Sequence, residues 1–144
     1  MTLIRFDENI SRRIPDALRQ LHLPDGVTVE SAHDANAVGH SDIDWLADFA
    51  RRGGTCIVSG DERMRDRPAE RAALQASGVI AVFPPEGRFW TPLRLHGQAA
   101  FLIRWFPAIT QVAQRGPAGD HFRLPMDWSA DIDKMRRLPR LNLD

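Results

Sequence analysis

The fold is decided by the stretch Leu3-Ile4-Arg5-Phe6-Asp7-Glu8-Asn9, close to the start of the chain. Its first four residues predict a short strand, and the strand stops abruptly at two carboxylates and an amide. In an open α/β sheet, ligands bind beyond the carboxyl ends of the strands. The edge where this strand ends is therefore the place to expect a functional site.

Strands and helices alternate along the first 85 residues. The strands are predicted at about 3–6, 27–29, 55–58 and 79–83, and the helices at about 11–21, 42–52 and 68–76. Elements of this length in this order indicate a parallel sheet with helices on its faces, joined by right-handed crossovers. The sequence thus predicts the α/β class.

The last third of the chain has a different pattern. We expect a helix over about 92–114 that Pro107 kinks or breaks, an edge strand over 121–124 and a short helix over 129–137. Bulky aromatic residues in and before the long helix are expected to pack on the sheet, with an exposed stacking platform as the alternative; they are Trp90, Phe101 and Trp105. A single domain over 1–144 is predicted, with a core at about 1–85 and a helix and tail at about 88–144 packing on it.

Composition narrows the class of protein. The 19 basic and 19 acidic residues give zero formal net charge, which argues against a basic nucleic-acid coat or a polybasic membrane surface. It leaves room for an enzyme that acts on nucleic acid. Cys56 is the single cysteine, so no internal disulfide or cysteine metal cluster can form, and its strand setting predicts burial. No stretch approaches the ~20 apolar residues of a membrane span, and without a signal pattern we expect a cytoplasmic protein with no membrane partner.

Acidic residues follow two of the predicted strands. Asp7 and Glu8 come after the first strand, and the pair 61–62 follows the third, so all four would share one sheet edge. The start of the second helix could add Asp42 and Asp44. Carboxylates packed together repel unless a cation joins them, and Mg²⁺ or Mn²⁺ prefers such oxygen ligands. A site of this kind suits phosphodiester hydrolysis.

Each acid also has an ordinary structural explanation. Asp7 or Asn9 could cap the first helix, and Asp42 is well placed as the cap of the second. Asp61 and Glu62 could be turn residues. Spacing alone leaves both interpretations open.

Three motifs in order carry a resemblance to a known family. They are FDENIS at 6–11, GHSDIDWL at 39–46 and IVSGDERMR at 57–65, with 67–74 and 104–109 in agreement. The set resembles the PIN-like domain family, and more narrowly its VapC-type toxin-like branch, in which F-D-E-N, D-E-x-W and T-G-D-x-x-[IM]-R recur. The resemblance spans about residues 3–125.

The resemblance implies a Rossmann-like three-layer α/β/α sandwich and a Mg²⁺- or Mn²⁺-dependent endoribonuclease that could be the toxin of a toxin–antitoxin pair. By motif position, Asp7, Asp42 and Asp61 would be the metal ligands and catalytic acids, and Asp44 ranks next. Asn9 and Ser59 match an amide and a hydroxyl that could orient water or ligands. Glu8 matches the motif but should point the other way along an extended segment.

Three arginines lie beside the predicted site and could hold substrate phosphates; they are Arg12, Arg63 and Arg65. Solvated surface arginines are the equal alternative. Unpaired RNA is the expected substrate, because enzymes reach unpaired strands more easily than A-form grooves. The resemblance implies a cognate antitoxin and a homodimer as partners. A PIN-like scaffold without catalysis, binding RNA or a protein, is the second hypothesis. A phosphoacceptor domain is disfavoured because the single lysine, Lys134, lies in the tail.

Overall fold

The computed structural model of the protein describes residues 1–32 and 42–141, with Asp42 described by its backbone alone. Six strands form one sheet in the order β2-β1-β3-β4-β5-β6. Their bounds are β1 Thr2–Phe6, β2 Val27–Ser31, β3 Gly54–Val58, β4 Ile80–Phe83, β5 His121–Arg123 and β6 Arg136–Arg137. The first five strands are parallel, and β6 pairs antiparallel with β5. The predicted α/β fold with a mostly parallel sheet is confirmed.

Helices cover both faces of this sheet. Their bounds are α1 Arg13–Gln20, α2 Asp42–Arg51, α3 Pro68–Ser77 and α4 Gly87–Arg115, with short 3-10 helices at Glu62–Arg65 and Ile132–Lys134. One core joins α1 and α4 to the face that carries Phe6 and Val58, and a second core joins α2 and α3 to the face that carries Ile57. This is the three-layer arrangement that the family resemblance implies.

Strand β1 contributes to both cores because its side chains alternate between the two faces. Ile4 and Phe6 are fully buried under α1 and α4. Arg5 points to the other face, where its guanidinium lies 5.1 Å from the ring of Trp45 and 3.2 Å from Glu30. A charged residue therefore fills a core position in the opening strand.

The long helix differs from its prediction in where it is interrupted. It begins at Gly87, and its single residue with non-helical dihedrals is Arg94, at φ 54° and ψ −171°. The helical dihedrals continue through Pro107, so the prediction of a break at that proline is wrong. Phe101 and Trp105 are fully buried, as predicted for packing residues, whereas Trp90 is partly exposed.

The C-terminal tail also differs from its prediction. Strand β5 is not at the sheet edge, because β6 pairs outside it, and the predicted helix over 129–137 is replaced by a 3-10 helix and β6. Leu138 follows β6, is buried, and donates its N–H to the carbonyl of His121 at 2.8 Å. Pairing with an open strand edge and burial of Leu138 favour the extended chain over a short helix.

The predicted burial of the single cysteine can be checked against the structure. Cys56 is fully buried, as predicted. Within residues 1–32 and 42–141, no helix is both long and apolar enough to cross a membrane.

Candidate functional site

The strand order places the predicted site at a particular point of the sheet. The chain runs from β1 outward to β2 on one side and then to β3 on the other, so the direction of winding reverses between β1 and β3. Crevices at such a reversal are the usual ligand sites of open α/β sheets. Asp7 and Ser59 are the first residues beyond these two strands, so both lie at the reversal.

A buried hydroxyl joins the two strand ends. Ser59, which has no exposed surface, donates from its Oγ to Oδ2 of Asp7 at 2.9 Å. The same Oγ accepts the backbone N–H of Asp61 at 3.1 Å. Asp7 is 5% exposed and also accepts the N–H of Glu8 at Oδ1, at 2.7 Å. Ser59 therefore fixes the carboxylate of Asp7 relative to the loop that carries Asp61.

Asn9 links the same two loops from the other side. Its Oδ1 accepts the N–H of Gly60 at 2.6 Å, and its Nδ2 lies 3.5 Å from Oδ2 of Asp7. A Cβ on Gly60 would lie 3.1 Å from that amide oxygen, so a side chain there would crowd the bridge. Because α1 begins only at Arg13 and its N-cap makes no side-chain bond, neither Asp7 nor Asn9 is a helix cap.

Asp61 is engaged by an arginine that sequence reasoning missed. Arg67 donates to both carboxylate oxygens of Asp61, at 2.9 and 3.2 Å, and to Glu70 at 2.6 Å. The hydrogen bonds to Asp61 and then to Glu70 raise the pKa of Arg67. The sequence did hold a signal, since Pro68 at the first position of α3 makes Arg67 the N-cap residue, next to the loop after β3.

The remaining predicted acids stand in different positions. Asp42 is the first residue of α2, and its side chain lies outside the described residues. Asp44 is in the first turn of α2 and is exposed, and Glu8 is exposed as well. Among the described side chains, no three carboxylates, histidines or cysteines lie close enough together to hold a metal ion. The structure thus brings Asp7 and the Asp61 loop together, while the third predicted ligand falls outside the description.

The three predicted phosphate-binding arginines separate in the structure. Arg63 is exposed and lines a cleft beside Asp61. Arg12 is the exposed N-cap residue of α1, with its Nε 3.7 Å from Asp16. Arg65 donates to Nδ1 of His121 at 3.1 Å and to the carbonyl of Pro139, so it faces the tail and not the cleft.

The cleft has a volume of about 800 Å³ and lies across the carboxyl ends of β1, β3, β4 and β5. One side is charged and includes the ion pair of Arg123 with Glu62, whose Nε–Oε1 distance is 2.7 Å. The other side runs from the end of β4 into the start of α4. It is mainly apolar, with Phe83, Pro84, Pro85 and Trp90, and it also includes Glu86 and Thr91. Arg123 is not predicted at this edge from the sequence, because it reaches the edge through β5. Trp90 is predicted there only in the alternative of an exposed stacking platform.

A parallel sheet with paired acidic loops at its reversal point defines an α/β protein with a polar ligand-binding edge. A family model described as "PIN like domain" matches residues 2–85, more than half of the chain. The protein belongs to the PIN-like domain family, whose fold is typically that of a nuclease. No curated protein and no solved structure matches the chain.

Proposed function

We propose that the protein is a metal-dependent endoribonuclease that hydrolyses phosphodiester bonds of unpaired RNA. The observation that carries the proposal is the Ser59 hydroxyl, which ties the buried Asp7 carboxylate to the backbone of Asp61 at the strand-order reversal of a PIN-like fold. Carboxylates held in this way at a sheet edge are suited to a cation and its phosphate substrate.

The donor atoms fit a hard cation. Asp7 and Asp61 present carboxylate oxygens, and the loops that carry them also hold the hydroxyl of Ser59 and the amide oxygen of Asn9. Mg²⁺ and Mn²⁺ favour such oxygen donors. Asp7 and Asp61 would hold the ion, with Asp42 as the proposed third ligand and Asp44 as an auxiliary acid. When bound, the ion supplies charge that stabilises the negative phosphate oxygens.

The chain's own groups have separate roles in this proposal. Ser59, Asn9 and the N–H of Glu8 are positioning groups, since each hydrogen-bonds the Asp7 carboxylate or its partner loop. Arg63 is the proposed phosphate contact, because its guanidinium is exposed in the cleft. Unpaired RNA is the proposed substrate because its strand can enter a cleft that an A-form helix cannot.

The test is cleavage of single-stranded RNA with added Mg²⁺ or Mn²⁺. Asp7→Asn and Asp61→Asn should each lower the rate by at least about 100-fold, since each removes a charged ligand. Asp25→Asn is the matched control, because Asp25 is an exposed turn residue before β2, at the opposite end of the strands from their carboxyl ends. Cleavage that persists in chelator, or in both variants while their melting curves match the wild type, would overturn the proposal.

A PIN-like scaffold that binds without cleaving is the second candidate. It is favoured by one observation: Arg67 already occupies both carboxylate oxygens of Asp61. Calorimetric titration with Mn²⁺ separates the two candidates. Heat of binding at micromolar to millimolar Mn²⁺ that disappears in Asp7→Asn supports the nuclease, and no binding at millimolar Mn²⁺ supports the scaffold.

We further propose, from the three motifs shared with the VapC-type branch, that the protein is a toxin held by a cognate antitoxin and that it forms a homodimer. Expression of the wild type should then arrest growth, Asp7→Asn should not, and the product of an adjacent small open reading frame should relieve the arrest. Light scattering on the purified protein measures the oligomeric state. Growth that is unaffected by the active wild type would remove the toxin assignment.

A further inference from the structure

The cleft beside Asp61 has two chemically different sides, and this division points to how a nucleotide would lie in it. Its volume of about 800 Å³ falls within the range of ~300–1,000 Å³ common for small-ligand sites. We infer that the apolar side, centred on Trp90, is a subsite for an unpaired nucleobase, with Arg63 holding the adjoining phosphate. The inference rests on the nuclease proposal for the choice of nucleic acid as the ligand.

Trp90 is the aromatic residue of α4 that lines the cleft. Phe101 and Trp105 have no exposed surface, whereas Trp90 is partly exposed and lines the cleft. Its ring packs edge-on against Phe101, with centroids 6.2 Å apart and planes at 71°. Its carbonyl accepts a hydrogen bond from Nε2 of Gln98 at 3.1 Å. The indole is thus packed against a core residue on one edge, and Trp90 lines the cleft.

Charge pairing leaves one arginine of the cleft available to an anion. Arg67 binds Asp61 and Glu70, and Arg123 binds Glu62. Arg63 is exposed and has no hydrogen-bond or ion-pair partner among residues 1–32 and 42–141. A phosphate that binds Arg63 breaks no existing ion pair. Aromatic stacking combined with a nearby cation is the usual chemistry of single-strand binding.

The experiment measures binding in chelator with labelled 2′-O-methyl oligonucleotides, which resist hydrolysis, in base-bearing and abasic forms. Wild type should bind the base-bearing strand about 5- to 100-fold more tightly. Trp90→Leu keeps apolar bulk but should abolish this preference. Trp90→Phe should keep much of it while removing the quenching of indole emission by the strand. Trp128→Phe is the matched control, because Trp128 is 44% exposed and does not line the cleft.

Arg63→Gln tests the phosphate half of the subsite. It should weaken both oligonucleotides equally and reduce the slope of log affinity against log salt by about 1. Wild type that binds both strands equally, binds neither, or keeps its preference and quenching after substitution of Trp90 would overturn the inference. Cleavage assays separate the two claims: a cleaving protein without base preference retains the nuclease and loses the subsite, whereas a non-cleaving protein with the preference retains only the subsite.

Discussion

Arg67 forms an ion pair with Asp61, and the effect of this pair on metal affinity can be measured by substituting that single arginine. A cation and the Arg67 guanidinium compete for the same two carboxylate oxygens, because both of those oxygens accept hydrogen bonds from Arg67. The Arg67 side chain is 42% exposed, and exposed ion pairs contribute little to stability. Arg67→Gln should therefore tighten Mn²⁺ binding by up to about 5-fold in calorimetry.

Arg88→Gln is the control for that prediction, since Arg88 pairs with Glu86 at 2.9 Å, a carboxylate that is not among the predicted metal ligands. It should leave Mn²⁺ affinity unchanged. Weaker Mn²⁺ binding in Arg67→Gln would show instead that Arg67 holds Asp61 in the orientation that a metal requires.

His121 makes stability depend on pH. Burial, and next the positive charge of Arg65, lower the pKa of His121 to about 4. Its Nδ1 accepts a hydrogen bond from Arg65, which only the neutral ring can do. The unfolded ring has a pKa near 6.5, so the unfolded state binds more protons between pH ~6.5 and ~4. The contribution of the neutral ring to the free energy of unfolding is then fully present above pH ~6.5. The free energy of unfolding falls by about 3 kcal/mol as the pH drops to ~4.

His121→Gln should remove this part of the pH dependence. The measurement is the difference in the free energy of unfolding between variant and wild type, taken from urea unfolding curves at several pH values. The difference should shrink from pH 7 to pH 4, because the wild type loses stability that the variant does not. His22→Gln is the control for the substitution itself, because His22 is exposed. A constant difference for His121→Gln would contradict the buried neutral ring.

At the scale of elements, the interruption of α4 lies at a residue with non-helical backbone dihedrals and not at either of its prolines. Arg94 has φ 54° and ψ −171°, close to a region that glycine alone enters without cost. The interruption brings Leu93 against Gly97, where a Cβ would lie 2.8 Å from the Leu93 Cβ. The strained arginine is thus stabilised by packing around it, at a cost of roughly 1–3 kcal/mol.

Arg94→Gly should relieve that strain and raise the free energy of unfolding by about 1 kcal/mol after the entropy lost from the unfolded chain is subtracted. The melting temperature should rise by about 3 °C. Ala100→Gly is the matched control in an exposed helical position of the same element, and it should lower stability by about 1 kcal/mol. A decrease of similar size for Arg94→Gly would contradict the strain at that residue.

The elements that were predicted correctly are those whose own residues carry the pattern. Strands β1 to β4 are short apolar runs bounded by turn residues, and α1 to α3 have apolar positions at helical spacing. Strand β6 has only Arg136 and Arg137, both exposed, and exists because β5 offers it an edge. No local pattern encodes such a strand, since its stability comes from a partner remote in sequence.

At the scale of the whole molecule, the contrast between local patterns and partners remote in sequence also explains which parts of the site could be predicted. Asp7 and Asp61 are predicted at one edge because parallel strands share it, a consequence of topology alone, whereas Ser59 is predicted only through the family resemblance. Arg123 and Trp90 reach that edge through β5 and α4, which follow the family match at residues 2–85. The direction in which a side chain points at this edge depends on its neighbours, which the order of elements does not specify. Arg65, for example, points to His121.

The core shared between the family match and the rest of the chain leads to a prediction about fragments. Residues on one face of the sheet, among them Phe6 and Val58, are buried in one cluster with Phe101 and Trp105 of α4. A fragment of residues 1–85 leaves that face uncovered by α4. We expect it to lack a cooperative thermal transition, because the lost apolar burial exceeds the few kcal/mol by which domains are stable.

A fragment of residues 1–135 is the matched comparison, since it keeps α4 and β5 and removes β6 with the tail. It loses the buried Leu138 and the ion pairs that Arg137 and Arg140 make with Asp120, which is 2% exposed. We expect it to fold with a stability lower by about 3 kcal/mol and to melt roughly 10 °C lower. If 1–85 instead melted cooperatively, α4 would be an accessory to an independent domain. If 1–135 matched the whole chain, the paired tail would contribute nothing to the stability of the sheet it extends.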